Sequence, residues 1–148
     1  MASFTLERVI PASPETVFDL SLDVGLHLDS QSSRGERAVG GKTSGMLGEG
    51  DQVTWSARHF GIRFRMSSIV FDVDRPRRFR DRQTRGPFGA FLHTHEFLPD
   101  AGGTLMRDTI EFHSPFGPLG RLVDAVVMRR HLIAVITERN DGISAYFS

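Results

Sequence analysis

The chain has no cysteine. That absence excludes disulfides, thiolate metal sites and a cysteine nucleophile, and it fits a cytoplasmic protein. Net charge is missing too, since 18 Lys+Arg balance 18 Asp+Glu over 148 residues. No global field therefore draws the chain to nucleic acid or to an anionic membrane. No apolar run reaches the roughly 18 residues of a spanning helix. The longest candidate, about 122–136, is broken by Arg129, Arg130 and His131. Glu7 and Arg8 stand where a secretory leader needs its apolar stretch.

Repeats and linkers are also lacking, so residues 1–148 read as one domain, long enough to bury a core. There is no G-x-S-x-G nucleophile motif. "GGKTSG" at 40–45 resembles a fragment of a phosphate loop, but its glycine spacing is wrong and no helix follows it.

What is present is a sequence of patterns. "SFTLERVIP" reads as a strand closed by Pro11. "SPETVFDLSLD" opens a helix, with Ser13 as N-cap, Pro14 at the first helical position and Glu15 favourable to the dipole. A short helix over "GLHLDSQ" follows. Residues 31–50 hold six glycines and read as loops around a short strand near 36–40. From Asp51 the period becomes two. Five strands follow: "DQVTWSARHF", "IRFRMSSIVFDVDRP", "RRFRDRQTR", "GAFLHTHEFLP" and "GTLMRDTIEF". Parity slips within the second, at Ser67–Ser68, which predicts a β-bulge there. Beyond Pro118, residues Leu119, Leu122, Val123, Val126, Val127, Leu132, Ile133 and Ile136 recur at helical spacing. They predict one helix over 118–138, packed on the sheet's concave face.

The resulting order is β-α-α-β(5–6)-α. It resembles the helix-grip fold of the Bet v 1, START and polyketide-cyclase (SRPBCC) superfamily, and the likeness covers nearly the whole chain. "PASPETVFDLSLD" is similar to that superfamily's opening. "FRDRQTRGPFGAFLHTHEF", "GGTLMRDTIEF" and "PFGPLG" are similar to a subgroup of small, uncharacterised bacterial ligand-binding proteins. The resemblance implies an α+β domain in which a strongly curved antiparallel sheet of about 6–7 strands wraps a long C-terminal helix around a cavity. It carries over no catalytic residues, because the superfamily hosts carriers, cyclases and receptors alike.

Strand parity then nominates the cavity wall. Phe91, His93, His95 and Phe97 share one face of their strand, and the bracketing phenylalanines point that face inward. Phe79, Asp81 and Gln83 are the inward set of theirs, since three arginines on the other face cannot all be buried without partners. Met106, Asp108, Ile110 and Phe112 form the more apolar face of the last strand. Trp55 and His59, with Leu122 and Val126 from the helix, complete the expected ligand-binding set.

His93 and His95 lie about 6–7 Å apart along a strand, with Asp81 or Asp108 as a third metal ligand. H-x-H on a strand is a weak motif, so lining histidines are favoured and no metal or other cofactor is expected. Arginines 75, 77, 78, 80, 82 and 85 read as a solvated outer face, with an interaction surface as the lesser reading.

Two functions remain open. The first is a binding domain for an apolar or aromatic small molecule such as a lipid, quinone or polyketide. The alternative is a cyclase- or hydrolase-type enzyme, with His93 or His95 as base oriented by Asp81 or Asp108. Neither nucleic acid nor a membrane span enters the expectation, and the pattern leaves room for a homodimer.

Overall fold

In the computed structural model, which describes residues 2–147, strand β1 (Ala2–Ile10) is followed by helices α1 (Pro14–Ser21) and α2 (Val24–Ser30). A 3-10 turn over Ser32–Arg34 leads to β2 (Arg37–Gly41). Strands β3 (Gln52–His59), β4 (Ile62–Asp74), β5 (Arg78–Arg85), β6 (Ala90–Asp100) and β7 (Gly103–His113) come next. The chain ends in a helical run built of α3 (Gly117–Val123), a π-turn (Asp124–Met128) and α4 (Arg129–Tyr146). The strands form one seven-stranded antiparallel sheet in the order β1-β7-β6-β5-β4-β3-β2. This is the helix-grip α+β architecture, a curved sheet around a long C-terminal helix.

The local signals act as the sequence suggests. Ser13 caps α1 by accepting from the Thr16 amide, with Pro14 at the start of the helix and Glu15 in its first turn. Gly142 lets α4 cross closely over α2, since a Cβ there would lie 2.4 Å from the Cβ of Ser30.

Two expectations need correcting. The β4 register against β3 runs unbroken through Ser67 and Ser68, and Ser68 points inward with Met66 and Val70. The faces exchange later, at Asp72, which takes a left-handed φ of 55° and adds a residue to β4 between Phe71 and Asp74. Val73 then packs on the core. At Ser67–Ser68 the extra residue, Thr84, belongs to β5 instead.

The C-terminal helix departs further from the pattern. The run extends to Tyr146 rather than 138 and is interrupted by the π-turn. Leu122 and Val126, expected in the cavity, are exposed, as are Leu119, Val123 and Val127. The inward face is instead formed by residues spaced every four positions: Gly120, Asp124, Met128, Leu132, Ile136 and Asn140. A π-turn inserts one extra residue, which turns the phase of the helix by about 100°. It thereby swings Leu119, Leu122 and Val123 of α3, with Val126 and Val127 of the π-turn, away from the sheet.

The core is split in two. Ile10, Val17, Phe18, Val70, Phe79, Phe97, Met106 and Ile143 form one cluster, and Phe4, Phe91, Ile110, Phe112, Leu132 and Ile136 form the other. The residues between them on β6, β7 and α4 are His93, His95, Asp108, Arg139 and Asn140, all buried. A polar layer separates two apolar ones.

Candidate functional site

Cross-strand register builds that polar layer. On β6, His93 lies opposite Asp81 of β5 and His95 opposite Asp108 of β7. Asp81 Oδ2 accepts a hydrogen bond from His95 Nε2 at 2.6 Å, and Asp108 Oδ1 accepts one from His93 Nε2 at 2.7 Å. The two imidazoles stack with ring centres 3.6 Å apart, and Phe79 stacks on the far side of His95 at 4.1 Å. From α4, Arg139 Nη1 donates to Asp108 Oδ1 at 3.1 Å and Asn140 Nδ2 to Asp108 Oδ2 at 3.0 Å.

These bonds fix the state of His95. Arg139 Nη2 can only donate, so its 3.3 Å contact makes His95 Nδ1 an acceptor. The ring proton therefore sits on Nε2, where it is given to Asp81. Burial, reinforced by His93 and Arg139, pushes the His95 pKa down to about 3, against the pull of Asp81. For Asp108, burial opposes ionisation, but Arg139 and the His93 hydrogen bond prevail and hold the carboxyl well below its ordinary range. Burial would raise the Asp81 pKa, but the hydrogen bond from His95 and the nearby Arg139 guanidinium outweigh it and the net shift is downward.

Asp81, His93 and His95 each offer one ligand atom within 4.8 Å of the others. The donor set nevertheless suits a metal poorly. A histidine ligand needs an acceptor for its second ring nitrogen. His95 instead faces a guanidinium on one nitrogen and spends the other on Asp81.

In front of this layer, between the concave sheet and α4, lies a cavity of about 260 Å³. Its walls are mostly apolar: Leu22, Leu47, Val53, Ala57, Phe64, Met66, Val70, Phe79, Phe88, Leu132 and Ile136. Asp81, His93, His95 and Arg139 form the polar floor. A second polar group borders it elsewhere: His27, Gln31, Glu36, His59 and His131. His59 Nδ1 and His131 Nε2 share a hydrogen bond of 2.9 Å, and Phe60 lies over His131 with ring centres 4.2 Å apart. Burial pushes the His131 pKa down to about 4, helped by His59 and Arg34, and lowers that of His59 as well. His27 stacks on Trp55 at 4.1 Å and pairs with Glu36. Gln31 donates to the Val135 carbonyl at 3.0 Å, while its buried Oε1 has no partner.

Of the residues nominated from sequence, Trp55, His59, Asp81, Phe91, His93 and His95 line the cavity. Gln83 does not; it bonds both backbone groups of Phe88 and so shapes the 86–89 loop. Met106, Asp108, Ile110 and Phe112 face the same way but are fully covered, with Asp108 reaching the cavity only through the histidines and Arg139. Leu122 and Val126 are in solvent because of the π-turn.

Arg139, Asn140, Gln31 and His131 escaped the sequence reading. Arg139 had a usable signal. The stripe Leu132, Ile136 continues to Ile143 only through positions 139–140, so a buried arginine falls on the inward face. The arginines of the β5 region pair with acids on the outer surface, among them Arg75 with Asp19, Arg77 with Asp74 and Arg78 with Asp72.

Residues 1–148 match the family model described as "Polyketide cyclase / dehydrase and lipid transport". The chain belongs to that family. No curated protein matches it in sequence. Among solved structures it is similar to TTHA0849 of Thermus thermophilus, at 23% identity and a TM-score of 0.75, covering 99% of this chain and 100% of that one. It is also similar to CV1439 of Chromobacterium violaceum, at 17% identity and a TM-score of 0.70 over 99% and 97% of the two chains. The major latex-like protein 151 of Panax ginseng follows at 11% identity, with a TM-score of 0.73 over 98% and 96%. At these identities the likeness concerns the fold. Family and fold together make this a helix-grip domain of the ligand-binding kind.

Proposed function

We propose that this family member binds an apolar or aromatic small molecule between its sheet and α4. The observation that carries the reading is the cavity itself, walled by aliphatic and aromatic side chains above a floor whose charges are already paired. Such a cavity gains most from a ligand that is largely apolar, with a few polar atoms setting its orientation.

Native mass spectrometry of freshly purified protein tests this. The expected result is an added mass released by organic extraction. Lauric acid or a naphthoquinone should then raise the melting temperature of the emptied protein. Filling the cavity with Ala57→Trp should abolish that rise. An emptied protein that responds to neither probe would count against the reading.

A second reading, a cyclase- or hydrolase-type enzyme, rests on His93. In its neutral form this ring gives Nε2–H to Asp108 and keeps Nδ1 as an acceptor on the cavity wall, the geometry of an oriented base. His95, bonded at both nitrogens, does not offer that. Turnover controlled by His93 in a pH–rate profile would favour this alternative.

A further inference from the structure

The segment from Phe116 to Arg130 is unlike the rest of the surface. Phe116, Leu119, Leu122 and Val126 are 73%, 66%, 61% and 63% exposed, with Val123 and Val127 beside them. Only Gly120 and Asp124 turn inward within α3 and the π-turn up to Val127. Asp124 is consumed by Ser114, whose amide and hydroxyl both donate to it, at 3.0 and 2.5 Å. The three charged residues left exposed are Arg121, Arg129 and Arg130, and none has an acidic partner among the described residues. The segment thus offers water six large apolar side chains and three free guanidinium groups, without one exposed carboxylate.

We propose that this segment docks on the surface of a bilayer containing anionic lipid. An interfacial helix buries an apolar face at the headgroup boundary and sets basic residues against acidic headgroups, and both features are present here. A second copy of the chain fits less well. A twofold contact through this face would bring two sets of three arginines together with no carboxylate to answer them. The net charge of the whole chain conceals the feature, because balancing acids lie elsewhere. The placement also gives docking a use. Ser114 and Met128, just before the segment and near its end, both line the cavity, so the docked face holds the cavity beside the lipid.

Cosedimentation of the full chain with vesicles tests the proposal, using phosphatidylcholine alone and phosphatidylcholine mixed with phosphatidylglycerol. Binding to the mixed vesicles should be at least about thirtyfold tighter and should weaken as salt rises. Leu122→Gln with Val126→Gln should remove binding to both vesicles. Arg129→Gln with Arg130→Gln should weaken binding to the mixed vesicles roughly thirtyfold and leave phosphatidylcholine unaffected. All four side chains are exposed, so both double variants should melt with the parent. Absence of vesicle binding, or equal binding to the two compositions at every salt concentration, overturns the proposal. So does a dimer in sedimentation analysis that Leu122→Gln with Val126→Gln converts to monomer, which would assign the face to a second copy. These readings need no cavity ligand, so they stand or fall separately from the binding function.

Discussion

The two parts of the C-terminal helical run each carry an apolar stripe and have opposite surroundings. In α4, Leu132, Ile136 and Ile143 are buried, and between them Arg139 and Asn140 reach Asp108. In α3 and the π-turn, Leu119, Leu122 and Val126 point into water while a glycine and an aspartate face the body. One part has its partners within the fold: a sheet face for its aliphatic residues and a carboxylate for its arginine. The other has surface to spare. The comparison teaches that amphipathicity reports which residues share a stripe, whereas the phase of the helix decides what that stripe meets.

The contrast can be broken most severely at the charged centre of α4. Asp108→Ala would leave the buried Arg139, on the cavity floor, without its carboxylate partner. Removing one partner of a buried pair costs about 3–5 kcal/mol. The variant should unfold, or lose most of its stability in urea titration, although the substitution lies behind the cavity wall. A variant as stable as the parent would mean that Arg139 finds another acceptor and that the polar layer is not what joins α4 to the sheet. Arg139→Met removes the opposite charge and should be milder, because Asp108 keeps His93 and Asn140.

A smaller effect is expected at the junction of the two parts, where His131 of α4 meets His59. Both rings have pKa values below the ordinary value of about 6.5, His131 down to about 4. Between those limits the unfolded chain binds protons that the folded one refuses, so stability must fall as pH drops from about 6.5 toward 4. Below about 4 the depressed carboxyls of Asp108 and Asp81 take over, because their stabilisation is lost as they become protonated. Melting temperature against pH should therefore decline in two stages. His131→Gln should make the upper stage shallower without abolishing it, since His95 and His59 contribute over the same range, and should leave the lower one. An unchanged upper slope would assign it to His95, whose pKa of about 3 spans the same range.

Much of this arrangement was legible in the chain. Strict alternation put Phe91, His93, His95 and Phe97 on one face because a half-buried strand has no freedom to do otherwise. The same rule placed Met106, Asp108, Ile110 and Phe112 together. It could not say that Asp108 would be sealed behind the histidines, since layer depth depends on how closely α4 approaches. The exchange of faces falls four residues later than the shared parity of Ile69, Phe71 and Val73 suggests, because the register shift at Ser67–Ser68 puts its extra residue on β5 and β4 gains its own only at Asp72. Backbone phase was the harder limit. One extra residue in a π-turn leaves no mark in hydropathy, yet it redirects five apolar side chains.

The gentlest test concerns that redirection. If 118–138 were one regular helix facing the core, Val126→Asp would bury a carboxylate and cost several kcal/mol. With Val126 63% exposed, the change should stay within about 0.5 kcal/mol. Ile136→Asp, ten residues later on the inward face, supplies the control and should unfold the protein. Denaturant midpoints for the pair decide between the two phases. Equal, large losses at both positions would mean that α3 packs on the body in solution and that its apolar face is covered by the protein itself. A near-silent Val126→Asp beside an unfolded Ile136→Asp would show that the helix carries two faces, of which only one belongs to the core.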